Sequence, residues 1–285
     1  MWLSGKSADF SQLGGRLISF VKAHACGNDF LIVDAQSVDP AERSPLAVKL
    51  CSRNTGIGAD GVEYFEWTGE RSGRVHLINA DGSVAEISGN GTRCVAGWMA
   101  WKRRATLGAV FSIETDAGIR QCSIKGGDGS RFEIATGMGV PVVREKTVTL
   151  ASGLQIPGAT VSMGNPQFVT FVDEKEFAIA GSAWEAVGRE ICFHSDFPHQ
   201  TNVEFVRVIG TNQIEIRIFE RGVGPTASSG TGTCASAAAS IALRGVKAEL
   251  LVSAPGGSQG VRWDSPAAEM ILTGPAELIA IGEAF

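Results

Sequence analysis

The chain has 285 residues, of which 44% are hydrophobic and 19% charged, and a formal net charge of −5. This composition fits a soluble globular protein with material for two cores, and it excludes a polycationic nucleic-acid binder. No apolar run approaches the roughly 18 residues of a membrane-spanning helix, and the six cysteines and four histidines show neither Cys-x-x-Cys nor zinc-ligand spacing.

Residues 1–16 are polar and Gly/Ser-rich, without the apolar stretch of a signal peptide, and read as a loose leader or an upstream start. The expected setting is a reducing cytoplasm. Strands are predicted at 17–21 and 29–34 around a Gly27-Asn28 loop, followed by a helix over 45–53 and strands at 62–67 and 75–79. A helix then starts at Ser88 or Gly89 and runs to about Arg104, with Cys94, Val95, Trp98 and Trp101 on its apolar side. Strands follow at 110–115, 119–125 and 131–136. The second half reads alike: strands at 160–163 and 168–172, a helix over 182–191, strands at 202–208 and 213–220, and a helix over 230–244. The last strands are predicted at 248–253, 268–273 and 278–282, the final one returning to the first half.

The likeness of the halves extends to sequence. Ser88-Gly89-Asn90-Gly91-Thr92 and Ser229-Gly230-Thr231-Gly232-Thr233 lie 141 residues apart, as do Asn79 and Glu220, each nine positions earlier at the head of a Gly-containing turn. Gly27-Asn28 and Gly164-Asn165 lie 137 apart. Three landmarks in one order indicate a duplicated domain. Two glycine-flanked helix starts, one per half, are then expected to meet across a cleft. Unpaired amides and the helix dipole there favour a small anion. Either serine alone would read as a simple N-cap; the duplicated context favours function. Glu220 and Arg221 suit a proton transfer and a carboxylate clamp, and Asn28, Asn79, Asn165 and Asn202 sit at loop–strand junctions as donors and acceptors for a zwitterion. Gly56-Ile57-Gly58-Ala59-Asp60-Gly61 matches a dinucleotide fingerprint but follows a helix and precedes a strand, the reverse of the required order.

The motifs Phe20-Val21-Lys22-Ala23-His24-Ala25-Cys26-Gly27-Asn28-Asp29-Phe30, Gly56 to Gly61, Asn79-Ala80-Asp81-Gly82-Ser83, Ser88 to Cys94, Gly164-Asn165-Pro166, Glu220 to Gly224 and Ser229 to Gly232 occur in order. In them the chain resembles the diaminopimelate epimerase family, from Ile18 to the C-terminus. The resemblance implies an α/β (α+β) fold of two pseudo-symmetric domains, each a curved, mostly antiparallel sheet wrapped around a central helix. We place the first at 1–130, with 276–285 returning to it, and the second at 131–275.

It also implies isomerisation at the α-carbon of an amino acid without any cofactor, LL- to meso-diaminopimelate in lysine biosynthesis being the leading case, and a possible homodimer. In such enzymes one cysteine thiolate removes the α-proton and an opposing thiol returns one. Here those positions are Ser88 and Ser229, and Gln167 stands where a histidine usually follows Gly-Asn-Pro. Glu220, which resembles the residue assisting one cysteine, is kept. The candidate catalytic set is Ser88, Ser229, Glu220 and Gln167. The candidate binding set is Asn28, Asn79, Gly89, Asn90, Asn165, Asn202, Glu220, Arg221, Gly230 and Thr231. Four readings follow: an epimerase using serines assisted by Glu220, an isomerase using a carboxylate as the phenazine-biosynthesis branch of this fold does, a non-catalytic amino-acid-binding protein, or serines substituted to trap a ligand, which Gln167 argues against. Cys94 and Cys234, inside the two helices, read as small packed residues.

Overall fold

A computed structural model describes residues 17–85 and 88–285; the expectation for residues 1–16 lies outside them. The chain divides into two compact units, one of residues up to Ile134 together with Ala276–Phe285, the other Ala135–Pro275.

The first unit begins with β1 (Ile18–Ala25) and β2 (Asn28–Asp34), which pair antiparallel. The helix α1 (Arg43–Cys51) carries the chain to β3 (Gly61–Trp67), parallel to β2, and β3 turns back into β4 (Ser72–Asn79). After β5 (Val84–Ala85) comes α2 (Gly89–Arg103), then β6 (Val110–Thr115), parallel to β4, and β7 (Gly118–Asp128), antiparallel to β6. β8 (Arg131–Gly137) follows.

The second unit repeats this order. β9 (Val142–Thr149) and β10 (Gln155–Ser162) form a hairpin, and β10 pairs antiparallel with β11 (Pro166–Phe171). The helix α3 (Trp184–Cys192) leads to β12 (Asn202–Gly210), parallel to β11, which turns into β13 (Gln213–Glu220). After β14 (Gly224–Thr226) comes α4 (Gly230–Arg244), then β15 (Glu249–Ala254), parallel to β13, and β16 (Gly257–Arg262), antiparallel to β15. β17 (Ile271–Ala284) starts against β16 and ends against β1, with Ile18 opposite Ala284. The parallel and antiparallel pairings of β1 to β7 thus recur in β10 to β16.

α2 and α4 are core helices. Every residue from Gly89 to Ala100 is buried, and α4 is buried on nearly every side through Ser240. A helix buried all round needs small or apolar residues on every face, not an apolar stripe. α4 supplies mostly Ala, Gly, Ser and Thr, which lets strands approach closely. α2 packs Cys94, Val95, Trp98 and Met99 against apolar residues of β1, β2, β6 and β7. The C-cap of α2, Arg104, is left-handed (φ 50°), and Gly245 plays that part for α4 (φ 65°). Lys102, Arg103 and Arg244 in the last turns oppose the helix dipole.

Several expectations need correction. Trp101 does not join the core; it is 42% exposed and stacks on Trp98 at 5.5 Å. The strands expected at 268–273 and 278–282 give way to one continuous strand, β17, which begins only at Ile271. β9 and β16 were not foreseen, because β9 carries Arg144, Glu145 and Lys146 in succession and β16 holds Gly257 and Gly260, so neither reads as an alternating strand. α1 starts two residues earlier than expected and α3 two later.

Candidate active site

In the first unit the candidate residues gather on the opening turn of α2. Ser88 is extended (φ −124°, ψ 121°), and its Oγ accepts the N–H of Gly91 at 3.1 Å, so it is an N-cap. Gly27 turns the chain with φ 79° between β1 and β2, which brings Asn28 against the helix. Asn90 Nδ2 donates to Asn28 Oδ1 at 3.3 Å, and the buried Arg93 donates to Asn90 Oδ1 at 2.6 Å and to the Gly89 carbonyl at 3.2 Å.

Asn28 Nδ2 donates to Asp60 Oδ2 at 2.6 Å. A carboxylate only accepts, so this bond fixes which end of the Asn28 amide faces Asn90. Asp60 is held by Arg53 at 2.7 Å, and Arg53 also binds Asp29 at 2.7 Å, beside Lys22 at 3.1 Å. Burial opposes the charge on Asp29, but hydrogen bonds from Arg53 and Lys22 outweigh it and hold its carboxyl below the usual value. Asn79 is engaged differently: its Nδ2 donates to Ser83 Oγ at 3.0 Å and closes the turn whose Asp81 accepts the Ser83 N–H at 2.9 Å.

The second unit is built alike on α4. Ser229 is extended (φ −144°, ψ 129°), and its Oγ accepts the N–H of Gly232 at 3.3 Å. Asn165 follows Gly164 (φ 95°) and donates to Thr231 Oγ1 at 3.3 Å, the counterpart of the Asn28–Asn90 contact. Gln167 is buried; its Nε2 donates to Asn165 Oδ1 at 2.7 Å and to Thr231 Oγ1 at 3.2 Å. A neutral amide in this place ties β11 to the helix start and has no basic nitrogen to offer. Asn202 Oδ1 accepts the Arg221 N–H at 3.0 Å, anchoring the turn after Glu220, while Arg221 Nη1 reaches the His199 carbonyl at 3.4 Å. A recess of about 520 Å³ is lined by Asn165, Gln167, Arg144 and Thr201 among others. A larger one of about 950 Å³, at the far end of α2 beside Trp101 and Phe132, contains none of the candidate residues.

Two residues absent from the sequence reading lie beneath these turns. Glu63 on β3 and Glu204 on β12 are 1% and 0% exposed. Burial pushes the Glu63 carboxyl up to about 8, with the charge of Asp116 adding to the effect; burial and then Glu220 push Glu204 well above the usual value. The two lie 141 residues apart, the offset of the two serines, so the repeat itself could have found them. Asp60 was legible only as part of a glycine motif.

A Cβ on Gly91 would lie 1.8 Å from Glu63 Oε1, and one on Gly232 3.0 Å from Glu204 Oε1. Gly91→Ala is therefore expected to destabilise by about 1–3 kcal/mol through overpacking, and Gly232→Ala by less. Urea denaturation of the two variants checks the order; equal costs would contradict it.

The architecture of this chain occurs in solved structures of low sequence identity. A phenazine biosynthesis protein of the PhzF family from Bacillus anthracis superposes with a TM-score of 0.72 at 17% identity, over 95% of this chain and 100% of that one. A hydroxyproline epimerase from Agrobacterium vitis superposes at 0.67 and 17%, over 95% and 91%. The fold is thus the two-domain α+β fold shared by these proteins. The sequence is more specific: the diaminopimelate epimerase profile matches residues 20–143 and 159–279, and the chain belongs to that family. It is 33% identical to the diaminopimelate epimerase of Rippkaea orientalis, covering 93% of this chain and 98% of that protein, and 34% identical to that of Thermosynechococcus vestitus with the same coverage.

Proposed function

We propose that this chain is a cofactor-independent isomerase acting at the α-carbon of a small amino acid, with diaminopimelate as its substrate and lysine biosynthesis as its setting. The observation that carries the reading is the duplicated helix start: in each unit a serine hydroxyl caps a buried helix, with an asparagine of the preceding Gly-Asn loop against its second residue. The caps engage the amides of Gly91 and Gly232. The amides ahead of them, of Gly89, Asn90, Gly230 and Thr231, are those a ligand carboxylate would take.

Ser88 and Ser229 stand at the proton-transfer positions, Glu220 is the carboxylate that supports Ser229, and Gln167 positions Asn165 and Thr231. Asn28, Asn79, Asn165, Asn202 and Arg221 bind the remaining polar ends of the substrate. The proposed setting is the cytoplasm and the proposed assembly a homodimer. No helix among the described residues is long and apolar enough to cross a membrane. The names of the relatives support the substrate.

A second reading, an isomerase whose base is a carboxylate, draws on the serines, because a hydroxyl is a poor base without a partner, and on Glu220, nine residues ahead of Ser229 in the sequence.

Solvent deuterium incorporation at Cα of LL- and meso-diaminopimelate tests the proposal. If serines do the work, Ser88→Ala or Ser229→Ala abolishes incorporation; if the carboxylate does, Glu220→Gln is the lethal change. Binding without incorporation in the wild type would establish a binding protein instead. Arg221→Ala removes a charge-assisted contact and is expected to weaken diaminopimelate binding by about 1.5–3 kcal/mol. Calorimetry checks this, and an unchanged affinity removes Arg221 from the site.

A further inference from the structure

The buried glutamates occupy the same place in both units. Glu63 lies opposite Ile32 on β2 and Leu77 on β4; Glu204 lies opposite Val169 on β11 and Ile218 on β13. Each is the third residue of the strand segment that opens at Gly61 or Asn202, and each carboxyl reaches the glycine at the third position of its helix. Glu63 Oε1 lies 1.8 Å and Ser88 Cβ 3.3 Å from the point where a Cβ on Gly91 would be. For Gly232 the same point has Glu204 Oε1 at 3.0 Å and Ser229 Oγ at 3.4 Å. Glutamate, glycine and capping serine therefore share one small volume in each unit.

Neither carboxyl forms an ion pair with a described residue. Glu63 Oε2 and both oxygens of Glu204 lack a hydrogen-bond partner. The charged neighbour of Glu63 is Asp116, which is paired with His76 at 2.7 Å, and Cys94 on α2 also lies within its field; Arg93 donates to Asn90 and to the Gly89 carbonyl. Glu220, on the strand beside β12, is the charged neighbour of Glu204. Strand neighbours that are apolar, with no ion pair formed, favour the neutral acid in both places.

We propose that Glu63 and Glu204 are positioning acids of the ligand site: each must hold its proton for the helix start above it to accept a carboxylate. In the neutral form the acid fills the space under the Ser-Gly-x-Gly turn and leaves the positive end of the helix dipole unopposed. Once ionised, it sets a negative charge directly behind the amides that a ligand anion needs, and like charges in a desolvated place repel strongly. A carboxylate ligand therefore binds together with retention of the proton. Burial raises both acids, and Glu63, at about 8, gives up its proton within the range of a binding experiment, so the α2 start is the end to follow as pH rises. The inference rests on the diaminopimelate reading above.

Two measurements on the full-length protein test it. Infrared spectra of the free protein report protonated carboxyls directly: a band that disappears with rising pH around about 8 and is missing in Glu63→Gln is expected. Ionised carboxylates at both positions near pH 6 would overturn the inference, whatever the ligand. Calorimetry with meso-diaminopimelate between about pH 7 and about pH 9 then reads the coupling. The wild-type Kd is expected to rise up to about tenfold per pH unit above the Glu63 pKa, whereas in Glu63→Gln, which cannot ionise, it stays within about threefold. Binding by both proteins with the same pH slope overturns the coupling and leaves the function standing. Failure of both to bind at any pH overturns the function, and the coupling with it.

Discussion

Replacing Glu63 with glutamine is expected to stabilise the protein by about 3 kcal/mol more near pH 7 than near pH 4. The folded-state carboxyl titrates at about 8, against 4.5 for an unperturbed glutamate. Between those values the unfolded chain has released the proton and the folded chain still holds it. Because the folded pKa is the raised one, the group's contribution is fully present below about pH 4.5 and is lost progressively as pH climbs toward about 8. Each pH unit in that window costs about 1.4 kcal/mol, and near pH 7 roughly two and a half units have been crossed. Glutamine has the same shape and no charge to lose, so its stability escapes this slope. Its amide must still find partners in an apolar place, which costs about 1–2 kcal/mol at every pH, so the difference between the two pH values is the quantity to read. Urea unfolding of wild type and Glu63→Gln at both pH values measures it. A difference that does not change with pH would show that the carboxyl is ionised in the folded protein. Glu204→Gln is expected to move in the same direction.

Replacing Ser88 and Ser229 together by cysteine is expected to raise the rate of α-proton exchange by about 100-fold or more. Both hydroxyls already accept a backbone N–H at the start of a helix, at 3.1 and 3.3 Å. A thiol there sits in the positive end of the helix dipole, where cysteine pKa values fall to roughly 3.5–7.5. The base that removes the proton is then present as an anion at neutral pH, which a serine hydroxyl is not. The chain's own cysteines cannot act in this way: all six are buried, and burial pushes Cys94 far above its ordinary value. Deuterium incorporation into diaminopimelate, followed by proton NMR, measures the rate. A folded double variant that exchanges no faster than wild type would show that proton abstraction does not pass through these two positions.

The repeat was legible because its landmarks are turn residues. Glycines and asparagines at helix starts and strand junctions are dictated by backbone geometry, so Gly27-Asn28 and Gly164-Asn165 mark equivalent corners in any sequence that folds this way. Both core helices and their serine caps followed from the same punctuation. The strands β9 and β16 escaped because successive charges in β9 and the two glycines of β16 hide the strand pattern, and their pairing partners are not named by sequence alone. Trp101 was misplaced because a helical stripe identifies a face, and α2 has no stripe: only its last turn emerges from the core. The buried glutamates were missed for the opposite reason. A single acid in an apolar strand reads as the solvent side of a pleat, and only its recurrence at the same offset beside Gly91 and Gly232 marks it as internal. The polar chain from Asp60 through Asn28 and Asn90 to Arg93 joins residues up to 65 positions apart, a linkage no local pattern encodes.

β17 bears on how the chain comes to be folded during synthesis. The unit made of Ala135–Pro275 is continuous, so all its strands have been translated before the last ten residues appear. The other unit is not: β1 pairs early with β2, but it acquires its second partner only from those last residues, Ile18 pairing with Ala284 and Lys49 bonding the Phe285 carbonyl at 2.9 Å. A contact spanning nearly the whole chain is slow to close, because the loop entropy must be overcome before the pairing rewards it. The amino-terminal half thus leaves the ribosome first yet finishes folding last. Until β17 has been made, β1 keeps an open edge, available to aggregation or to a chaperone.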